Sequence, residues 1–128
     1  DGTSLSSESL KGHPVVVYFY PKDETPGCTK EACAFRDAWE KLSSLGVVLI
    51  GVSNDSNDSH KQFAEHHQLP FHLVSDSLGT LAIQFGVPNT RGFLARQSFV
   101  IGKDGNVKKI YRSVDVASHA QEILADVQ

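Results

Sequence analysis

Tyr18–Asp37, YFYPKDETPGCTKEACAFRD, joins the end of an apolar run to the start of a helix and holds both cysteines of the chain. The run begins at Val15 and is built of β-branched and aromatic residues as far as Tyr20, where Pro21 stops it, so Val15–Tyr20 is read as a buried strand meeting a loop. Thr25 then stands where an N-cap would, Pro26 suits the first helical position, and helix formers with apolar spacing continue from Glu31 to Leu42. Cys28 falls in the first helical turn. Unpaired backbone N–H groups and the positive end of the helix dipole favour an anion there, and a thiolate is the nucleophilic form of cysteine. The Thr25 hydroxyl, three residues earlier, is placed within reach of the sulfur or of whatever it attacks, and Gly27 keeps the approach open.

Cys33 follows five residues later. On an α-helix that offset is roughly 140° of rotation and about 7.5 Å of rise, which sets the two Cα atoms about 9 Å apart. A disulfide requires Cα atoms closer than about 7 Å. The two cysteines can therefore bridge only if the first turns of the helix unwind, which suits a transient bond made after Cys28 is oxidised to a sulfenic acid better than a structural one. Two plainer readings stand beside these: free cysteines are most often small buried hydrophobes, and Cys33 lies in a helix whose apolar spacing could place it in the core.

Outward from this stretch the chain reads as one α/β domain over residues 1–128. Gly46 breaks the first helix at about Ser43, and Val47–Val52 makes a second strand ending in Ser53, so strand, helix and strand imply a parallel pair with reactive groups at the carboxyl ends. SNDSNDS, Ser53–Ser59, is a loop in which Asp55 or Ser56 caps a helix running to about His67. It is no calcium loop, because one starting at Asp55 would need glycine at position 60 and glutamate at 66, and both are histidine. Phe71–Val74 reads as a short strand, Asp76 as the cap of a helix from about Leu78 to Phe85, and Gly86–Phe93 as a surface loop that could border a substrate entrance. Gln97–Ile101 and Val107–Tyr111 flank the hairpin signal Asp104-Gly105. A last helix is expected from about Val116 to Val127, with Ala117, Ala120, Ile123, Leu124 and Val127 on one face. At the start, Ser6 or Ser7 could cap a short turn through Leu10.

Composition removes several classes of function. A net charge of -3 with no Lys/Arg cluster argues against nucleic acid. No apolar run approaches the ~20 residues that span a bilayer, and the polar opening DGTSLSSESL has none of the features of a signal peptide. Two cysteines five apart make a poor framework for a secreted domain and fit a reducing compartment. The six histidines are scattered apart from His66 and His67, which as neighbours should point to different helix faces, so no metal site is read.

Pro21, Thr25, Pro26, Gly27, Cys28, Thr29, Glu31, Ala32, Cys33, Phe35, Arg36 and Asp37 together resemble the active-site segment of peroxiredoxins of the bacterioferritin-comigratory-protein type, also called peroxiredoxin Q. The family pattern P-x-x-x-T-x-x-C falls on Pro21, Thr25 and Cys28, and its arginine matches Arg96 in ARQSFVIGKDG. Phrases such as GVSNDS, LPFHLVSD and FGVP extend the likeness over nearly the whole chain. Family members usually carry a further strand and linker before DGTSLSSESLKG, so this chain looks shortened at its N-terminus. The resemblance implies a thioredoxin-like fold, with a central mixed β-sheet flanked by helices, and the order of elements agrees.

It also implies a thiol peroxidase. Cys28 would reduce hydrogen peroxide or an organic hydroperoxide, Cys33 would resolve the sulfenic acid as an intramolecular disulfide, and a thioredoxin-type reductant would restore both thiols without any cofactor. Arg96, otherwise an ordinary solvated charge opening a strand, would hold the thiolate and polarise the peroxide. Glu31, otherwise a first-turn acid, would orient Arg96, and Pro21 would shield the pocket. A monomer in a bacterial cytoplasm, or in a plastid stroma or lumen after removal of a transit peptide, is the matching expectation. A peroxide sensor relaying its disulfide would use the same residues. A thioredoxin-like disulfide oxidoreductase would need C-x-x-C where this chain has C-x-x-x-x-C, and a binding module with incidental cysteines would survive loss of Cys28.

Overall fold

The computed structural model describes residues 10–127, so a capping role for Ser6 or Ser7 lies outside the described residues. Strand β1 (Val15–Phe19) forms where the β-branched run predicts it. Helix α1 (Pro26–Ser44) follows, with Pro26 at its start and Leu45 as C-cap. Gly46 then adopts φ 78°, a left-handed turn that costs glycine little, and releases the chain into β2 (Val48–Ser53). Helix α2 (Asn57–His67) is capped by Ser56, whose hydroxyl accepts from the Ser59 amide at 3.1 Å. Strand β3 is His72–Ser75. Helix α3 (Thr80–Phe85) starts two residues later than expected, and Asp76 reaches forward to cap it by accepting from the Leu81 and Ala82 amides, both at 3.0 Å.

The expected Gly86–Phe93 loop contains a small hairpin, β4 (Asn89–Thr90) against β5 (Phe93–Leu94). Strands β6 (Gln97–Ile101) and β7 (Val107–Tyr111) match their expected bounds. The last helix, α4 (His119–Val127), begins three residues after the expected Val116. Asp115 accounts for the delay: its side chain accepts from the Ala117 amide and its carbonyl from Ser118 and His119, which makes a turn of those residues and leaves Ala117 exposed.

The main sheet has the order β3-β2-β1-β6-β7. β1, β2 and β3 run parallel, while β6 is antiparallel to β1 and β7 to β6, so the sheet is mixed as expected. Alternation along β1 divides the core. Val16, Tyr18 and Tyr20 pack with Phe35 and Leu42 of α1, Phe63 of α2 and Ile123 of α4; Val15, Val17 and Phe19 pack with Ile50, Val52, Phe99 and Ala82 of α3. A central strand buried on both faces has no polar residue in its run, which is what VVVYF shows. The expectation of a thioredoxin-like α/β fold holds. β1 ends in the middle of this sheet, beside β2 and β6, and the loop that leaves it delivers Cys28.

Candidate active site

Tyr20 continues β1 by donating its amide to the Val52 carbonyl at 3.0 Å, after which half-buried Pro21 turns the chain out of the sheet. Thr25 is the N-cap of α1 by position, and its carbonyl accepts the Thr29 amide at 2.8 Å. Its hydroxyl does not cap the helix but donates to the Lys22 carbonyl at 2.8 Å. That bond uses the hydroxyl proton and leaves oxygen lone pairs to accept from a ligand. Cys28 lies in the first turn, buried and outside any disulfide, and the Thr25 side chain leaves the orphan amides of the helix start uncapped.

Arg96 comes to Cys28 through the sheet. Gln97 pairs with Phe19 in the antiparallel β1–β6 ladder, so the residue before it emerges beside the end of β1. The guanidinium then donates through Nη1 to Glu31 Oε1 at 2.8 Å and through Nη2 to Cys28 Sγ at 3.3 Å. Burial pulls the Arg96 pKa down, but Cys28 and then Glu31 push it up and prevail. Burial drives Glu31 the other way: its carboxyl is pushed up to about 7, against the pull of Arg96. Glu31 Oε2 and the Tyr18 hydroxyl, both buried, lack a hydrogen-bond partner among the described residues, and burial followed by the nearby Glu31 carboxylate raises the Tyr18 pKa. At Gly27 a Cβ would stand 3.1 Å from Arg96 Nη2, so a larger residue there would press on the guanidinium.

Cys33 is half-buried and free, on the same unbroken helix as Cys28. The structure thus joins Cys28 and Glu31 through Arg96, places Thr25 and Pro21 on the loop leading to them, and leaves Cys33 on another face of α1.

Two groups of residues around this loop are absent from the sequence reading. Asp23 is buried and receives hydrogen bonds from the Tyr20 hydroxyl at 2.6 Å and the Ser59 hydroxyl at 2.8 Å. His60 Nδ1 lies 2.7 Å from the same carboxylate, and His60 Nε2 lies 3.0 Å from the Val74 carbonyl. The ring thus bridges the Asp23 carboxylate and the Val74 carbonyl. The Asp23 amide in turn donates to Asp55 at 2.8 Å, and Ser53 donates to the same Asp55 oxygen at 2.6 Å. Asp55 is therefore an anchor for the loop, not the helix cap. Nothing local in KDET marks Asp23, because apart from Tyr20 its partners lie more than thirty positions away. The second group corrects the expectation for the histidines. His66 and His67 do not diverge; both turn to Glu24, which holds them at 2.9 and 2.7 Å.

A mixed sheet carrying a helix-start cysteine gripped by an arginine defines a thiol-based enzyme of the thioredoxin-like peroxiredoxin class. The AhpC/TSA family model matches residues 1–110. A bcp-type peroxiredoxin of Coxiella burnetii is 44% identical over 131 residues, covering 97% of this chain and 87% of the relative. A chloroplastic peroxiredoxin Q of Populus jackii is 50% identical over 115 residues, covering 88% of this chain and 54% of the relative. The chain thus spans most of the bacterial relative and about half of the plant one. Among solved structures, the bacterioferritin comigratory protein of Xanthomonas campestris, studied for alkyl peroxide reduction, superposes with a TM-score of 0.91 at 35% identity, over 98% of this chain and 85% of that one. The chain belongs to the AhpC/TSA family, in its bacterioferritin-comigratory-protein or peroxiredoxin Q branch. Among the described residues no helix is long and apolar enough to cross a membrane.

Proposed function

We propose that this chain is a thiol peroxidase acting on hydrogen peroxide and alkyl hydroperoxides. The observation that carries the reading is the single guanidinium of Arg96 spanning Glu31 and Cys28. A guanidinium against the sulfur sets fixed donors where they can stabilise the charge that develops on a breaking O–O bond. Cys28 is the nucleophile. Its sulfur attacks the terminal oxygen, the O–O bond breaks, the transferred oxygen keeps its proton as a sulfenic acid, and the departing hydroxide or alkoxide takes up a proton. Arg96 steers the peroxide, Thr25 accepts a hydrogen bond from it, Glu31 positions Arg96, and Pro21 limits water at the pocket.

Cys33 is the resolving residue. Once the start of α1 unwinds, its thiol displaces water from the sulfenic acid and an intramolecular disulfide forms. A dithiol of the thioredoxin type then returns both cysteines to thiols. The domain acts alone, as a monomer. The bacterial and chloroplastic sources of its relatives support a bacterial cytoplasm or a plastid compartment.

The decisive experiment is rapid mixing of reduced protein with hydrogen peroxide followed by mass spectrometry of the wild type and Cys33→Ser. Fast oxidation, with loss of two hydrogens in the wild type and gain of one oxygen in the variant, is expected. Oxidation only as slow as that of a free thiol would overturn the proposal.

A further inference from the structure

Glu24 precedes the N-cap of α1, and its carboxylate reaches across to the last turn of α2. Oε2 lies 2.9 Å from His66 Nδ1 and Oε1 lies 2.7 Å from His67 Nε2. The two imidazole rings stand side by side with centroids 4.2 Å apart. One atom from each of the three side chains lies within 4.8 Å of the others. His67 is held in place from two directions: its ring packs edge-on against Phe63, and its carbonyl accepts from Arg36 of α1 at 2.9 Å. Glu24 and His66 are exposed, so an ion has a route in.

Two imidazoles and one carboxylate, converging with an open side to water, are the ligand set of three-ligand zinc centres. With metal–nitrogen bonds of about 2 Å, tetrahedral ligand atoms stand roughly 3.3 Å apart; each histidine–oxygen pair would open by about half an ångström, and the third edge, between the two imidazoles, lies within 4.8 Å. Imidazole nitrogen favours borderline divalent ions over magnesium or calcium. The nearby Asp23, Asp55 and His60 group differs. It is closed by hydrogen bonds from Tyr20, Ser53, Ser59 and the Asp23 amide, and has no free donor set to offer.

We propose that Glu24, His66 and His67 bind a divalent transition cation such as zinc, and that the bound ion pins the start of α1 to α2. Glu24 is four residues from Cys28. A metal there ties down the segment that must come loose before Cys33 can reach the sulfenic acid, while leaving Arg96 and the sulfur untouched. The ion therefore prolongs the sulfenic acid without blocking the attack on peroxide. This second effect rests on the two-cysteine mechanism proposed above; the binding itself does not.

Binding is measured by titrating zinc into a thiol-free Cys28→Ser/Cys33→Ser protein, so that neither thiolate can take the metal. One equivalent bound with a dissociation constant on the order of micromolar is expected. Glu24→Gln and His66→Ala, each made in that background, are expected to weaken it by about tenfold or more. Zinc binding that survives either substitution overturns the site. For the clamp, disulfide formation after a peroxide pulse is followed with and without zinc in wild type and His66→Ala. Slowing by about tenfold in the wild type alone is expected. Equal slowing in both proteins would assign the effect to the thiols and overturn the clamp. A wild type that forms no disulfide even without zinc would count against the two-cysteine mechanism and leave the binding result standing.

Discussion

Arg96 donates to the Cys28 sulfur at 3.3 Å although the two residues are 68 positions apart in the chain. Register alone brings them together: Phe19 pairs with Gln97, so the residue before β6 and the loop after β1 leave the sheet at the same place. If this contact carries the reactivity of Cys28, Arg96→Lys should lower the rate of sulfenic acid formation by about 100-fold, because an ammonium cannot serve Glu31 and the sulfur together. Stopped-flow oxidation of the Cys33→Ser background measures it directly. A loss of less than threefold would remove Arg96 from the mechanism.

Glu31 introduces a pH dependence whose sign can be worked out. Its folded pKa is raised by burial from an ordinary carboxylate value to about 7, so between pH 4.5 and 7 the folded protein binds more protons than the unfolded chain. This group's contribution to stability therefore falls as pH rises through that window and is lowest above it. Glu31→Gln should flatten that part of the stability profile in denaturant titrations. The same variant should lower the peroxide rate by about tenfold through a misplaced Arg96; an unchanged pH profile would show that Glu31 does not titrate there.

Gly27→Ala should separate stability from activity. Alanine favours a helix by about 0.5–1 kcal/mol over glycine, yet its Cβ would stand 3.1 Å from Arg96 Nη2. The variant should melt no lower than wild type while its peroxide rate drops several-fold. Equal rates would mean that the guanidinium can step aside at no cost.

His60 holds the loop that leads to Cys28. His60→Leu takes a hydrogen-bond partner from the buried Asp23 carboxylate and should destabilise the protein by about 1–3 kcal/mol. Amide exchange should quicken first at Asp23–Thr25. Uniform loosening of the whole chain would argue that His60 is only a core residue.

The disulfide proposed between Cys28 and Cys33 carries its own prediction. Cys28 and Cys33 sit on one continuous helix in the reduced protein, so oxidation must melt its start, and amide protection from Cys28 to Phe35 should be lost on adding peroxide. Equal protection in the two states would contradict the unwinding step.

Local chemistry made much of this protein legible from its sequence. Val15–Tyr20 could be read as a doubly buried strand because its run has no polar break, and the Thr25-Pro26 start of α1 follows from rules acting within a few residues. Those rules put Cys28 in the first helical turn. The hairpin around Asp104-Gly105 was equally local. The start of α4 was not, because Asp115 caps a turn that apolar spacing alone does not reveal.

What tertiary structure decided is which distant groups meet around Cys28. Arg96 reached its place in the sequence reading through resemblance, and only the β1–β6 register explains why it touches Cys28. Asp23 with His60, and Glu24 with His66 and His67, were invisible for the same reason. A carboxylate in a polar loop looks like any solvated charge until α2 is packed beside it, and helical periodicity separates adjacent histidines that a partner from another element can draw together. Sequence spacing encodes the contacts that a residue makes along its own element; contacts across the sheet depend on strand order, which is settled by burying both faces of β1 at once.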